Sequence, residues 1–145
     1  MTPARGRGTS ASAKQSVGVV FDAGALLEVE RGTPWLIALL AEIASAGGEV
    51  LIPAGALAQM WRGSRAVRLA RLTNAQETTV VPLDAPTAYA IGELLAKSGT
   101  RDVIDASVVL VARRQGYPIV TSDIRDLRRL DPSAALFRAD SGQPG

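Results

Sequence analysis

At 145 residues, nearly half of them hydrophobic but only six aromatic, the chain suits one domain with an aliphatic core. It contains no cysteine and no histidine, which excludes disulfides, thiolate metal sites, cysteine nucleophiles, an imidazole base and the usual zinc ligands. The net charge of +2 is unevenly placed: residues 1–16 hold Arg5, Arg7 and Lys14 without an acid, so residues 17–145 carry thirteen basic and fourteen acidic side chains.

Residues 1–16, MTPARGRGTSASAKQS, are rich in Gly, Ser and Ala and are expected to be a disordered basic tail. They lack the apolar centre of a secretory signal, and no run of 18 apolar residues follows, so a cytoplasmic protein without a membrane span is expected. Val17–Phe21 is a β-branched run that reads as a buried strand, ended by Asp22-Ala23-Gly24. Ala25–Glu30 has helical composition. Thr33-Pro34 then marks a helix start, with Thr33 as N-cap, and the helix runs to Gly47-Gly48. Val50–Ile52 is a second strand, and Pro53 opens the helix AGALAQMW.

Ser64–Asn74 reads as helical, with Arg65, Arg68 and Arg71 spaced three apart, and Thr78–Leu83 is a third strand. Asp84 caps a helix that reaches Ser98-Gly99, and Thr100 caps the next, which ends at Gln115. Pro118–Thr121 is a fourth strand, Ile124–Leu130 a short helix, and Ala134–Phe137 a fifth strand at an edge. Short apolar strands alternating with helices predict a three-layer α/β/α domain over residues 17–140, with a central parallel sheet of four to five strands. Residues 141–145 are expected to be a disordered C-terminus.

In such a sheet, ligands bind beyond the carboxyl ends of the strands. Asp22 follows the first strand, and Asp123 follows the fourth with Thr121 and Ser122 beside it. Asp102 and Asp105 open the helix that ends at Gln115, three residues apart on one face. Each acid alone has a bland explanation as a helix cap or a partner of the helix dipole. Together, acids at matching ends of separate elements converge and repel, and a hard divalent cation such as Mg2+ or Mn2+ relieves that repulsion. Without histidine, such a cluster points to metal-dependent phosphoryl chemistry. A haloacid-dehalogenase-type phosphatase would need a second acid where Gly24 stands. A receiver domain would need a lysine at a late strand end, and a P-loop NTPase a Gly-rich loop with a lysine; all three are missing.

The pieces VVFDAGALLEVERG, IPAGALAQMWRG, GTRDVIDASVVLVARRQG and IVTSDIRDLRRL, in this order over about residues 17 to 138, resemble the PIN-domain family. Within it they resemble the VapC-like ribonuclease toxins of type II toxin–antitoxin pairs. The resemblance matches Asp22, Asp105 and Asp123 to the family's acids, with Asp102 as an extra one. It implies an endoribonuclease dependent on Mg2+ or Mn2+ that cuts structured sites in tRNA or rRNA, a homodimer, and a cognate VapB-like antitoxin.

One position departs from the family pattern: Gln59 stands where a glutamate is normal. Glutamine still offers a carbonyl oxygen, so Gln59 is counted with the candidate catalytic residues, but it removes one negative charge. Asp102 is the candidate substitute for that charge. The alternative reading is a weakened or inactive PIN-fold module that binds RNA or an antitoxin. Arg65, Arg68 and Ser122 are the candidate RNA contacts, against the plainer reading of the arginines as a solvated helix face. Trp61 is read as core or groove packing, and Asp126 as a surface partner of Arg129 at i,i+3.

Overall fold

The carboxyl edge of one parallel sheet organises the molecule. The computed structural model describes residues 17–63 and 65–145, and in chain order its elements are β1 (Gly18–Phe21), α1 (Ala23–Arg31), α2 (Pro34–Ser45), β2 (Glu49–Pro53), α3 (Ala54–Met60), α4 (Val67–Thr73), β3 (Thr78–Val81), α5 (Ala85–Ser98), α6 (Val103–Gln115), β4 (Ile119–Thr121), α7 (Ile124–Leu130) and β5 (Leu136–Arg138). The tail 1–16 and Ser64, the expected start of a helix, lie outside the described residues.

The strand order is β3-β2-β1-β4-β5, every neighbouring pair parallel. The chain steps outward from β1 to β3, then returns to the other side of β1 for β4 and β5. The reversal between β1 and β4 leaves a crevice beyond their carboxyl ends.

The central strands are apolar without interruption because both faces are covered. The pairings Phe21↔Val120 and Val120↔Phe137 place Val19, Phe21, Val120 and Phe137 on one face. Helix α2 covers that face, where Trp35, Leu39 and Ile43 meet Val19, Val120 and Phe137, and the Trp35 indole N–H donates to the Ala139 carbonyl at 2.7 Å. Helix α6 crosses β2, β1 and β4 and is itself covered by α5 and α7. Its run ASVVLVA buries Ala106, Val108, Val109, Val111 and Ala112, more than one stripe, because it has neighbours on several sides. The three layers and five parallel strands agree with the expected fold.

Several local expectations are corrected. Thr33 makes no side-chain cap; its hydroxyl donates to Glu28 Oε1 at 2.5 Å instead. Thr100 is not the cap of α6: Asp102 holds that position, its Oδ1 accepting the Asp105 N–H at 2.9 Å, while the Thr100 and Ser98 hydroxyls bond each other at 2.8 Å. A carboxylate outcompetes a hydroxyl for a helix N-terminus because charge assists the bond. Helix α4 starts only at Val67, so Arg65 precedes it in a turn and does not share its face with Arg68 and Arg71.

Residues 141–145, expected to be disordered, fold back on β5. The Arg138 N–H donates to the Gln143 carbonyl at 2.8 Å, the Gly142 N–H to the Arg138 carbonyl at 2.7 Å, and the Gly145 N–H to the Leu136 carbonyl at 2.8 Å. Their polar composition hid the cause, which is an edge strand with free backbone groups to satisfy.

Candidate metal centre

The N-termini of α1, α6 and α7 are brought to the crevice at the carboxyl edge, and each arrives with aspartate at its cap or in its first turn. Asp22 caps α1, accepting the Ala25 N–H at 2.9 Å on Oδ1, while Oδ2 accepts the Thr121 hydroxyl from the end of β4. The same Thr121 oxygen accepts the Asp123 N–H at 2.7 Å. Thr121 is fully buried and Asp22 nearly so, which makes this three-residue chain the floor of the crevice.

Gly24 allows the two strand ends to close on each other. A Cβ there would stand 1.8 Å from Ser122 Oγ and 2.7 Å from Ser122 Cβ, so only glycine lets the first turn of α1 lie against the β4–α7 junction. At the other flank, a Cβ on Gly55 of α3 would meet Ile104 Cγ1 at 3.1 Å, which marks the close approach of α3 to the first turn of α6.

Above the floor, one carboxylate oxygen each from Asp105, Asp123 and Asp126 lie within 4.8 Å of one another. Asp105 is buried, at 8% exposure, whereas Asp123 and Asp126 are exposed, so the group is open to solvent on one side. Asp123 sits at the cap position of α7 but makes no side-chain cap bond, which leaves its carboxylate free. Among the described residues no lysine or arginine forms an ion pair with any of the three.

The charges oppose one another. Burial, then the carboxylates of Asp102, Asp123, Asp22 and Asp126, push Asp105 up to about 7. Asp123 is raised by burial and by Asp126 and Asp102. Asp22 is raised by burial, against the opposing hydrogen bonds from Thr121 and Ala25. Several oxygen donors close together, with no arginine or lysine among the described residues ion-paired to them, make a donor set that fits a hard divalent cation.

Of the expected site residues, Asp22, Asp102, Asp105 and Asp123 are brought together, and the tightest group contains Asp126, which the sequence reading gave to Arg129. Among the described residues Arg129 forms no ion pair with it. A sequence signal existed: Asp123 and Asp126 repeat the three-residue spacing of Asp102 and Asp105 at the start of a helix. Gln59 is exposed on α3. Ser122 lines a hollow beside the acids.

The arginines of the expected row lie elsewhere. Arg68 donates to the Glu30 carbonyl at 3.3 Å at the far end of α1, about 12 Å along the helix axis from Asp22. With Arg71 it lines an apolar groove of about 790 Å³ between α2 and α4. Trp61, half-exposed, lines a smaller hollow with Ala54, Leu57, Ala58 and Thr73.

The architecture and chain have known counterparts. The solved structure of FitAB bound to an IR36 DNA fragment matches with a TM-score of 0.59 and 16% identity, over 83% of this chain and 94% of that one. FitAcB from Neisseria gonorrhoeae matches with a TM-score of 0.55 and 16% identity, over 83% and 97%. No curated protein sequence matches. The PIN domain profile matches residues 19–132, from β1 through α7, a span that includes every aspartate of the crevice. The chain belongs to the PIN domain family.

Proposed function

We propose that this protein is a metal-dependent endoribonuclease, the toxin of a VapBC-type toxin–antitoxin pair, working with Mg2+ or Mn2+ on structured RNA such as tRNA or rRNA. The observation that carries the reading is the trio Asp105, Asp123 and Asp126, three carboxylates within 4.8 Å and without a basic partner among the described residues, in a PIN domain. These three would hold the cation, with Asp22 behind them.

A bound Mg2+ or Mn2+ supplies Lewis acidity at the phosphate and a hydroxide-like water at neutral pH. The chain's own residues do the rest. Thr121 keeps Asp22 aimed into the crevice and the α7 N-terminus beside it. Burial and the neighbouring carboxylates push Asp105 up to about 7, and it would give up its proton in holding a cation, whose positive charge would offset those neighbours.

Gln59 motivates a second reading, a PIN-fold module that binds without cutting. Asp126 weighs against it, since it adds a carboxylate to the cluster where the exposed Gln59 withholds one. Asp102 is a poorer substitute, because its Oδ1 is engaged in capping α6. An antitoxin of amphipathic helical form would find its site in the groove of Ile37, Leu40, Ala41 and Leu72, with Arg68 and Arg71 at hand for its acidic face. Homodimerisation and a cytoplasmic location belong to the same proposal; among the described residues no helix is long and apolar enough to cross a membrane.

Incubation of purified protein with a structured RNA pool in Mg2+ and in Mn2+ tests the reading. Cleavage by the native chain, its loss in EDTA and its loss in Asp105→Asn are expected. A native chain that cuts nothing, while Gln59→Glu does, assigns the non-catalytic reading instead.

A further inference from the structure

The acids form only one side of a second hollow, about 480 Å³, lined by Ser122, Asp123, Ile124, Arg125, Asp126 and Arg138. Arg138 ends β5, paired in register with Thr121 of β4, so it stands at the same carboxyl edge one strand beyond Asp123. Parallel strands lie about 4.8 Å apart. Asp22, Asp123 and Arg138 therefore follow one another along the edge in the order β1, β4, β5. Arg125 reaches the same hollow from the first turn of α7.

Both arginines are exposed, and among the described residues neither side chain forms an ion pair, although two carboxylates share their hollow. Several other arginines are engaged, while Arg101 and Arg129, also without an ion pair among the described residues, line a smaller hollow with Asp102, Asp105 and Asp126 on the side away from β5. Arg31 pairs with Glu28, Arg113 with Asp131, Arg68 bonds the Glu30 carbonyl, and Arg128 bonds the carbonyls of Pro132, Ala134 and Gly145. The backbone at Arg138 is pinned on both sides, its N–H on Gln143 and its carbonyl on Gly142, so the guanidinium springs from a rigid base. Two unpaired planar cations beside an acidic cluster suit an anion that must also approach that cluster, and guanidinium forks match phosphate oxygens.

Resting on the ribonuclease reading, we propose that Arg125 and Arg138 form a phosphate-binding site that grips the RNA backbone one phosphate away from the bond being cut. The strand then runs along the carboxyl edge, from the acids towards β5. Contacts of this kind position a strand without reading its sequence, so target choice lies with other surfaces.

The test uses the full chain. With Asp105→Asn to keep the RNA intact, binding of a fluorescein-labelled single-stranded RNA of mixed sequence is followed by anisotropy in Mn2+ across a salt series. Adding Arg125→Ala and Arg138→Ala together is expected to weaken binding about tenfold and to make the log–log salt slope shallower by about two. Replacing both by lysine, Arg125→Lys with Arg138→Lys, is expected to restore the salt slope and part of the affinity. In the Asp105-containing protein the alanine pair raises KM about tenfold while kcat moves less than about threefold, and the Mn2+ concentration needed for thermal stabilisation stays within about twofold.

RNA affinity and salt slope unchanged in the double alanine variant, with native cleavage intact, overturn the phosphate site and leave the nuclease reading standing. A Mn2+ requirement shifted as far as the RNA affinity also overturns it, since the arginines then act on the acids. A native chain that neither cuts nor binds RNA overturns both.

Discussion

The Thr121 hydroxyl bonds Asp22 Oδ2 across ninety-nine positions of chain, and nothing but the parallel pairing of β1 with β4 brings the two together. Because the same oxygen also accepts the Asp123 N–H, one buried side chain locks two of the acids to each other. Thr121→Val keeps the volume and removes both bonds. It is expected to destabilise the protein by about 1–3 kcal/mol and to lower activity with it, whereas Thr121→Ser keeps most of both. Thermal denaturation and a cleavage assay on the three proteins check this.

Metal-free stability should fall as pH rises. Asp105 is raised from an ordinary value near 4 to about 7, so between those limits the folded form binds more protons than the unfolded form. That contribution is fully present below pH of about 4 and lost through pH 7; Asp22 and Asp123, also raised, act with the same sign. Asp84 and Asp131 are lowered, so their opposite contribution falls below the same window. In EDTA the melting temperature is expected to be higher at pH 5 than at pH 7.5, the difference shrinking in Asp105→Asn and on adding Mn2+. A flat profile in EDTA would contradict the crowding of the cluster.

Gly24→Ala should cost about 1–3 kcal/mol, since the new methyl group overlaps the Ser122 side chain. Ser122→Gly removes that side chain and is expected to recover part of the loss, limited by the Ser122 backbone nitrogen at 3.1 Å. Urea denaturation of both single variants and the double variant measures the coupling. Additive losses would show that the two loops are not held in contact.

Substitutions at Gln59 and Asp126 separate the scaffold from the charge. Gln59→Glu is expected to bind Mn2+ about tenfold more tightly by calorimetry, on the order of the effect of one added carboxylate partly screened by solvent. Asp126→Asn should weaken binding by at least as much and abolish cleavage. If Asp126→Asn leaves Mn2+ affinity unchanged, the exposed aspartate is a bystander and Arg129 regains its claim to it.

Much of this was readable locally. Strands appear in the sequence as short apolar runs, helix ends as Asp, Pro and Gly signals, and both are decided within a few residues. The clustering candidates Asp22, Asp102, Asp105 and Asp123 were visible for the same reason, because a strand end or a helix start can be named before its neighbours are known. Boundaries failed where two local signals competed, as at Thr100 and Asp102, and the order was decided by which side chain reached the free N–H of Asp105.

Composition alone determined an aliphatic core without histidine or cysteine, and the alternation of strands and helices an α/β domain; what that leaves for chemistry is carboxylates, hydroxyls and amines. Which carboxylates meet was left to the tertiary structure. At i,i+3 an aspartate and an arginine on a short helix read as a surface pair, yet Asp126 turns to Asp105, which lies on another helix. The packing of α7 against α6 sets that direction, and a buried contact between elements outweighs an exposed ion pair worth well under about 1 kcal/mol. Likewise the sequence reading chose Arg68 and passed over Arg138, but β-sheet order carries Arg138 to the acidic edge and leaves Arg68 at the far end of α1.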